Sequence, residues 1–206
     1  MATYRGPKNR IARRFGANIF GRARNPMMHK QNIPGQHGAR RRKKSDYGLQ
    51  LEEQQKLKAV YGMLSQKQLI NYYKKALRHP SGKTADILLQ NLESRLDNFV
   101  HKMKLAPTIF TAQQLVSHGH ILVDGKKVDR RSFQVKPGMV VSLREKSRKI
   151  PVVIGATENT SRETPAYMEL RGPFECKMAM APEREQVEFP LMINIDGVCE
   201  FLAHTS

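Results

Sequence analysis

The feature that most constrains this chain is where its charge lies. Residues 1–50 carry 13 Lys and Arg against a single Asp, a net of +12. Residues 51–100 add +3 and residues 101–150 add +8, whereas the last 56 residues sum to −5. Two basic regions therefore precede an acidic segment, the pattern of a binding front and a structural back. The total of +18 favours a polyanionic partner, whether RNA, DNA or an acidic membrane surface. It does not choose a fold.

Residues 1–48 read as an irregular basic arm with few apolar positions, broken by Gly6-Pro7, Asn25-Pro26, Pro34-Gly35 and Gly38. Ile11, Phe15 and Ile19 recur at a spacing of four and predict a short amphipathic helix. Much of the arm is expected to order only on its polyanion. From Ser45 the pattern becomes helical. Ser45 or Asp46 can cap a helix bearing Leu57, Val60, Tyr61 and Leu64, with Gly62 marking an end or bend. Ser65 followed by Gln68 is a capping box opening a second helix, which His79-Pro80-Ser81-Gly82 breaks. Thr84 can cap a third.

The stripe Leu92, Leu96, Phe99, Val100 and Met103 predicts a fourth helix, and Pro107-Thr108 begins another that Gly119 stops. Ile121 to Val128 reads as a hairpin around Asp124-Gly125, and Pro137-Gly138 turns into a strand over Met139–Leu143. Residues 94–145 thus form a helix–helix–hairpin–strand unit. Residues 150–170 lack periodicity and are expected to be loop-rich. The apolar pattern returns between Phe189 and Leu202. The fold class is α+β, with 39% hydrophobic residues, enough for one ordinary core or two small ones.

The chemistry the sequence can carry is recognition, not catalysis. It holds no P-loop, dinucleotide turn or nucleophile elbow. The seven His have no close-spaced Cys partners, so zinc is not expected; His118-Gly119-His120 reads as a hydrogen-bonded turn. Cys176 and Cys199 are expected to be reduced, partly buried thiols. No stretch is apolar enough for a membrane span or a signal peptide, and a soluble, cytoplasmic protein is expected.

Arg40-Arg41-Arg42-Lys43-Lys44 cannot pack in a core, and the planar fork of Arg suits phosphate. A duplex RNA is read through shape, phosphates and 2′-hydroxyls, a task suited to cationic and polar groups at helix starts and hairpin edges. In 94–145 these are Arg95, Gln113, His118, Lys126, Lys127, Arg130 and Arg131. Arg5, Lys8, Arg10, Arg13, Arg14, Arg22 and Arg24 in the arm, with Lys56 and Lys58 beyond it, complete the RNA-binding candidates.

Taken together, several words resemble one family, bacterial small-subunit ribosomal protein four. They are Arg5-Gly6-Pro7-Lys8, Pro34-Gly35-Gln36-His37-Gly38, Ser45-Asp46-Tyr47-Gly48, Tyr61-Gly62 and Arg95-Leu96-Asp97-Asn98. Gln114 to His118, Val135-Lys136-Pro137-Gly138 and Arg144-Glu145-Lys146-Ser147 extend the likeness over residues 1–148. The resemblance implies a mainly helical body, residues 49–93 completed by 171–206, holding an inserted RNA-binding domain at 94–170. It also implies no cofactor and no enzymatic activity. The expected partners are the five-prime domain of small-subunit ribosomal RNA, messenger RNA at its entrance channel, and neighbouring proteins, notably small-subunit protein five. By position, Arg40 to Lys44 would be the channel-side cluster.

The chain departs from the family in two respects that bear on binding. Residues 1–50 lack the zinc-binding cysteines of some members, leaving the arm to RNA contacts alone. Ile109 and Gln113 stand where members often have Arg, so weaker phosphate contacts are expected there. A modifying enzyme bearing a similar small module is the main rival reading, but it needs a catalytic domain this sequence does not contain. A DNA-compacting protein fits the charge and not the words.

Overall fold

The computed structural model describes residues 4–21, 24, 26–38, 43–80, 82–158 and 163–205. The chain divides into two compact units, Met1–Leu88 with Phe189–Ser206, and Leu89–Glu188. Helices α1 (Lys8–Phe15), α2 (Asp46–Val60), α3 (Gln66–Leu77) and α4 (Thr84–Glu93) come first. There follow α5 (Leu96–Lys102), α6 (Ile109–Ser117) and strands β1 (Ile121–Val123), β2 (Lys126–Lys127) and β3 (Val140–Leu143). Then come α7 (Pro151–Thr157), β4 (Met168–Gly172), β5 (Glu175–Met178) and α8 (Ile195–Thr205).

In the first unit the caps are those the side chains require. Ser45 Oγ accepts from the Gly48 amide at 3.3 Å, and the Ser65–Gln68 box closes reciprocally. α8 packs on α2 and α3, burying Leu57, Leu69, Val198 and Leu202. Each such side chain contributes about 1.5–3 kcal/mol. Phe201 stacks obliquely on Tyr47 at 5.3 Å, and Phe189 meets Tyr61 edge-on at 6.4 Å. The Asn194 amide donates to Glu53 at 2.8 Å, tying the C-terminal segment to α2. The arm's helix is shorter than its periodicity predicts. It ends at Phe15, and Ile19 and Phe20 are buried beyond it.

In the second unit α5 and α6 pack together over a five-stranded antiparallel sheet, counted among the described residues, in the order β2-β1-β3-β5-β4. Its core joins Leu96, Phe99, Val100, Leu115 and Val116 from the helices to Ile121, Val141, Leu143, Cys176 and Met178 from the sheet. Two expectations need correction. Residues 150–170 are not chiefly loop, since they contain α7 and the start of β4. Residues 171–188 lie with the second unit, because β5 pairs with β3, setting buried Cys176 opposite Val141. No disulfide joins the two cysteines, and burial pushes the Cys176 thiol up to about 12. Among the described residues no helix is long and apolar enough to cross a membrane.

Candidate nucleic-acid interface

The second unit builds its surface on a buried polar frame. Arg95, at the N-cap of α5, is 2% exposed, and Asp97 is 1% exposed. Arg95 Nε donates to Asp97 Oδ1 at 3.0 Å and Nη2 to Oδ2 at 2.7 Å, a two-pronged ion pair. Gln113 Nε2, on α6, donates to the same carboxylate at 3.3 Å. Arg131 closes the network, donating from Nη1 to Gln113 Oε1 at 3.4 Å and from Nε to Ser117 Oγ at 2.8 Å. The backbone follows the same path. The Asp97 amide donates to the Arg131 carbonyl, the Leu96 amide to Phe133, and the Val135 amide to Ser94. The loop after the hairpin is thereby fixed to the start of α5.

A second buried group, the Glu93 carboxylate, accepts from Asn98 Nδ2 and from the Tyr167 hydroxyl, each at 2.8 Å. Lys102 Nζ pairs with it at 2.7 Å. Burial first, and Glu93 second, drive the Tyr167 hydroxyl far above its ordinary pKa, so it remains a donor.

Two sequence-predicted contacts are therefore corrected. Arg95 and Gln113 are not surface groups: both are buried and hydrogen-bonded to Asp97. The others in this unit are at the surface. Lys126, Lys127, Arg130 and His118 are exposed, and Arg131 is half-exposed. The fold gathers some of them. His118 caps the C-terminus of α6, and Gly119 turns with φ +72. The far end of the Lys127 side chain lies over Gly119, whose left-handed backbone disfavours any residue with a Cβ. His118, Lys127 and Arg131 thus gather at the C-terminal end of α6, where the helix dipole also favours positive charge.

In the first unit several candidate cations hold the protein's own structure. Arg13 donates from Nε to the Lys30 carbonyl at 3.2 Å and from Nη2 to Asn32 at 2.8 Å, holding the following loop to α1. Arg24 Nε donates to His29 Nε2 at 2.8 Å. Lys44 pairs with Glu52, and Lys56 with Glu53 at 2.6 Å. Lys58 donates to Gln66 at 3.3 Å, and burial lowers its pKa. Arg5, Arg10 and Lys43 are exposed, Lys8 is half-buried, and Arg14 lies over the Phe15 ring at 5.6 Å. Arg22 and Arg40, Arg41 and Arg42 lie outside the described residues.

Nothing in this arrangement resembles a reaction centre. Among the described residues no group of three or more His, Cys, Asp or Glu comes together to hold a metal. His118 and His120 stand 6.0 Å apart, ring to ring, and His120 Nδ1 is 2.8 Å from Ser147 Oγ. The pair is integrated into the turn.

Comparison with known proteins matches two family models to the chain. Residues 3–93 match the ribosomal protein S4/S9 N-terminal domain, and residues 94–141 match the S4 domain. The small ribosomal subunit protein uS4 of Protochlamydia amoebophila is 61% identical over 207 residues, the full length of both chains. The chain belongs to the uS4 family. Its counterparts in Chlamydia muridarum and Chlamydia trachomatis serovar D are 57% and 56% identical, each over 99% of both chains. Membership makes this a structural, RNA-binding protein of the small ribosomal subunit and not an enzyme.

Proposed function

We propose that this chain binds the helix junction in the five-prime domain of small-subunit ribosomal RNA early in assembly, on cytoplasmic ribosomes. The second unit, which includes the expected domain at 94–170, sets the register of binding by shape. The basic arm supplies long-range attraction and counterion release. The observation that carries this reading is the rigid seat beneath the exposed cations. Arg131 is tied through Gln113 to the buried Arg95–Asp97 pair, so this donor is held in position before RNA arrives. Preorganised donors lose less freedom on binding.

Residues 40–44 are assigned, by their place in the family pattern, to the messenger entrance channel and decoding accuracy beside small-subunit protein five. Footprinting of the whole chain on the five-prime-domain RNA, with no other protein added, tests the first part. Protection centred on the helix junction at physiological salt is expected; protection spread evenly along the fragment would overturn it. For the second part, replacing Arg40, Arg41 and Arg42 with Ala should weaken messenger handling more than assembly binding. Equal loss in both would end that division of labour.

A further inference from the structure

The proposed function leaves one basic surface of the second unit unassigned. It lies immediately after β3, past the end of the S4-domain match at residue 141. There Arg144, Lys146, Arg148 and Lys149 are all exposed, with Glu145 the one acid among them. Four cations in six residues repel one another, so a turn that collects them is favoured when an anion lies against it.

The turn is held from beneath. The Arg144 amide donates to the His120 carbonyl at 2.9 Å, and the Ser147 amide to the Arg144 carbonyl at 2.9 Å. Ser147, 4% exposed, meets His120 Nδ1 at 2.8 Å through its hydroxyl. The Arg148 guanidinium lies 5.5 Å from the centre of the Phe174 ring, which fixes that side chain as well. His120 is also the neighbour of Gly119, across which Lys127 runs. The 144–149 turn and the cations at the end of α6 thus meet across His120, at one end of the sheet, where β2 and β3 flank β1.

We propose that the 144–149 turn is a second phosphate-binding surface for the same RNA, continuous with the α6–β2 cations and extending the interface beyond the S4 module. The partner is the RNA sugar–phosphate backbone. In duplex RNA the base edges of the narrow major groove lie beyond the reach of side chains on a surface turn, so the cations meet phosphates and contribute affinity and register and not sequence choice. This inference rests on the function proposed above and is tested so that the two can fail separately.

The test measures the whole chain binding to five-prime-domain RNA across a salt series, for three triple variants. In the first, Arg144, Lys146 and Lys149 become Gln. In the second, Lys126, Lys127 and Arg130 become Gln. In the third, the exposed α3 cations Lys67, Lys74 and Lys75 become Gln as a control for bulk charge. All nine side chains are exposed, so folding should be unaffected; circular dichroism checks this. Each phosphate that a variant no longer neutralises lowers the slope of log affinity against log salt by about 0.9. The first variant is expected to lower it by about two to three and to weaken binding at least tenfold, with little change in the control.

If the first variant matches wild type while the second binds weakly, the second surface is disproved and the proposed function stands. If the first and the control weaken binding equally, the turn contributes only net charge and the inference also falls. If neither the first nor the second changes binding, the function reading fails with it.

Discussion

The two units use the same residue types in opposite ways. In the first unit, cations the sequence marks for RNA also hold the chain to itself: Arg13 grips the Lys30 and Asn32 carbonyls, while Lys44 and Lys56 pair with Glu52 and Glu53. In the second, one arginine is buried completely against Asp97, Arg131 is half-exposed and tied to Gln113 and Ser117, and Lys126, Lys127 and Arg130 stand exposed. A basic residue's identity therefore does not decide its role; the acceptor within reach does. A surface ion pair contributes about 0–1 kcal/mol, so Lys44 and Lys56 can exchange Glu for phosphate at little cost. Arg95 cannot, because releasing it would leave a buried carboxylate unpaired.

That contrast can be broken at graded points. The largest effect belongs to Asp97→Ala, which strands a buried guanidinium. A loss of about 3–5 kcal/mol is expected in denaturant unfolding, and a loss below about 1 kcal/mol would mean that Arg95 escapes to solvent. Arg13→Ala removes two charge-assisted hydrogen bonds at an exposed site. A loss of roughly 1 kcal/mol is expected, with faster amide exchange in residues 26–38; unchanged exchange would mean the loop is held otherwise. Ser65→Ala removes the capping box of α3 and should cost about 1 kcal/mol, seen as a lower Tm with the second unit's exchange unaffected.

The smallest effect is in pH. Burial first, then His118 and Arg144, lower the His120 pKa. Between that value and the ordinary histidine range the unfolded chain binds the extra proton, so stability should be complete above this window and decline as pH falls through it. His120→Gln should flatten that part of the profile, and an identical profile would remove His120 as the cause.

Local signals are the legible part of the fold. Ser45, the Ser65–Gln68 box, Thr108 and the Asp124-Gly125 turn each act within four residues, and all appear where their chemistry places them. The β4–β5 pair is not legible. β4 is a short edge strand, exposed from Glu169 to Arg171, without a clean alternation, and β5 owes its place to distant Val140–Ser142. α7 is seven residues long, with both Val152 and Ile154 exposed, so it carries no helical stripe.

At the interface the exposed cations are readable in the sequence and the buried ones are not. Arg95-Leu96-Asp97 has the composition of a polar helix start. Its one hint of burial is the surrounding Leu92, Leu96 and Phe99, and only the folded backbone brings Gln113 and Arg131 to complete the network. The run from Arg144 to Ser147 is a family word, but its exposure and its junction with His120 are properties of the fold.

The central claim is that a fixed frame, and not charge alone, selects the RNA. Its most direct test is the affinity of the whole chain for five-prime-domain RNA beside a generic RNA duplex, measured over a salt series. Charge alone should lose both RNAs together, by orders of magnitude between low and moderate salt if about eight phosphates are neutralised. The account predicts that a preference for the ribosomal fragment persists at physiological salt. Equal affinities that fall together with salt would contradict it.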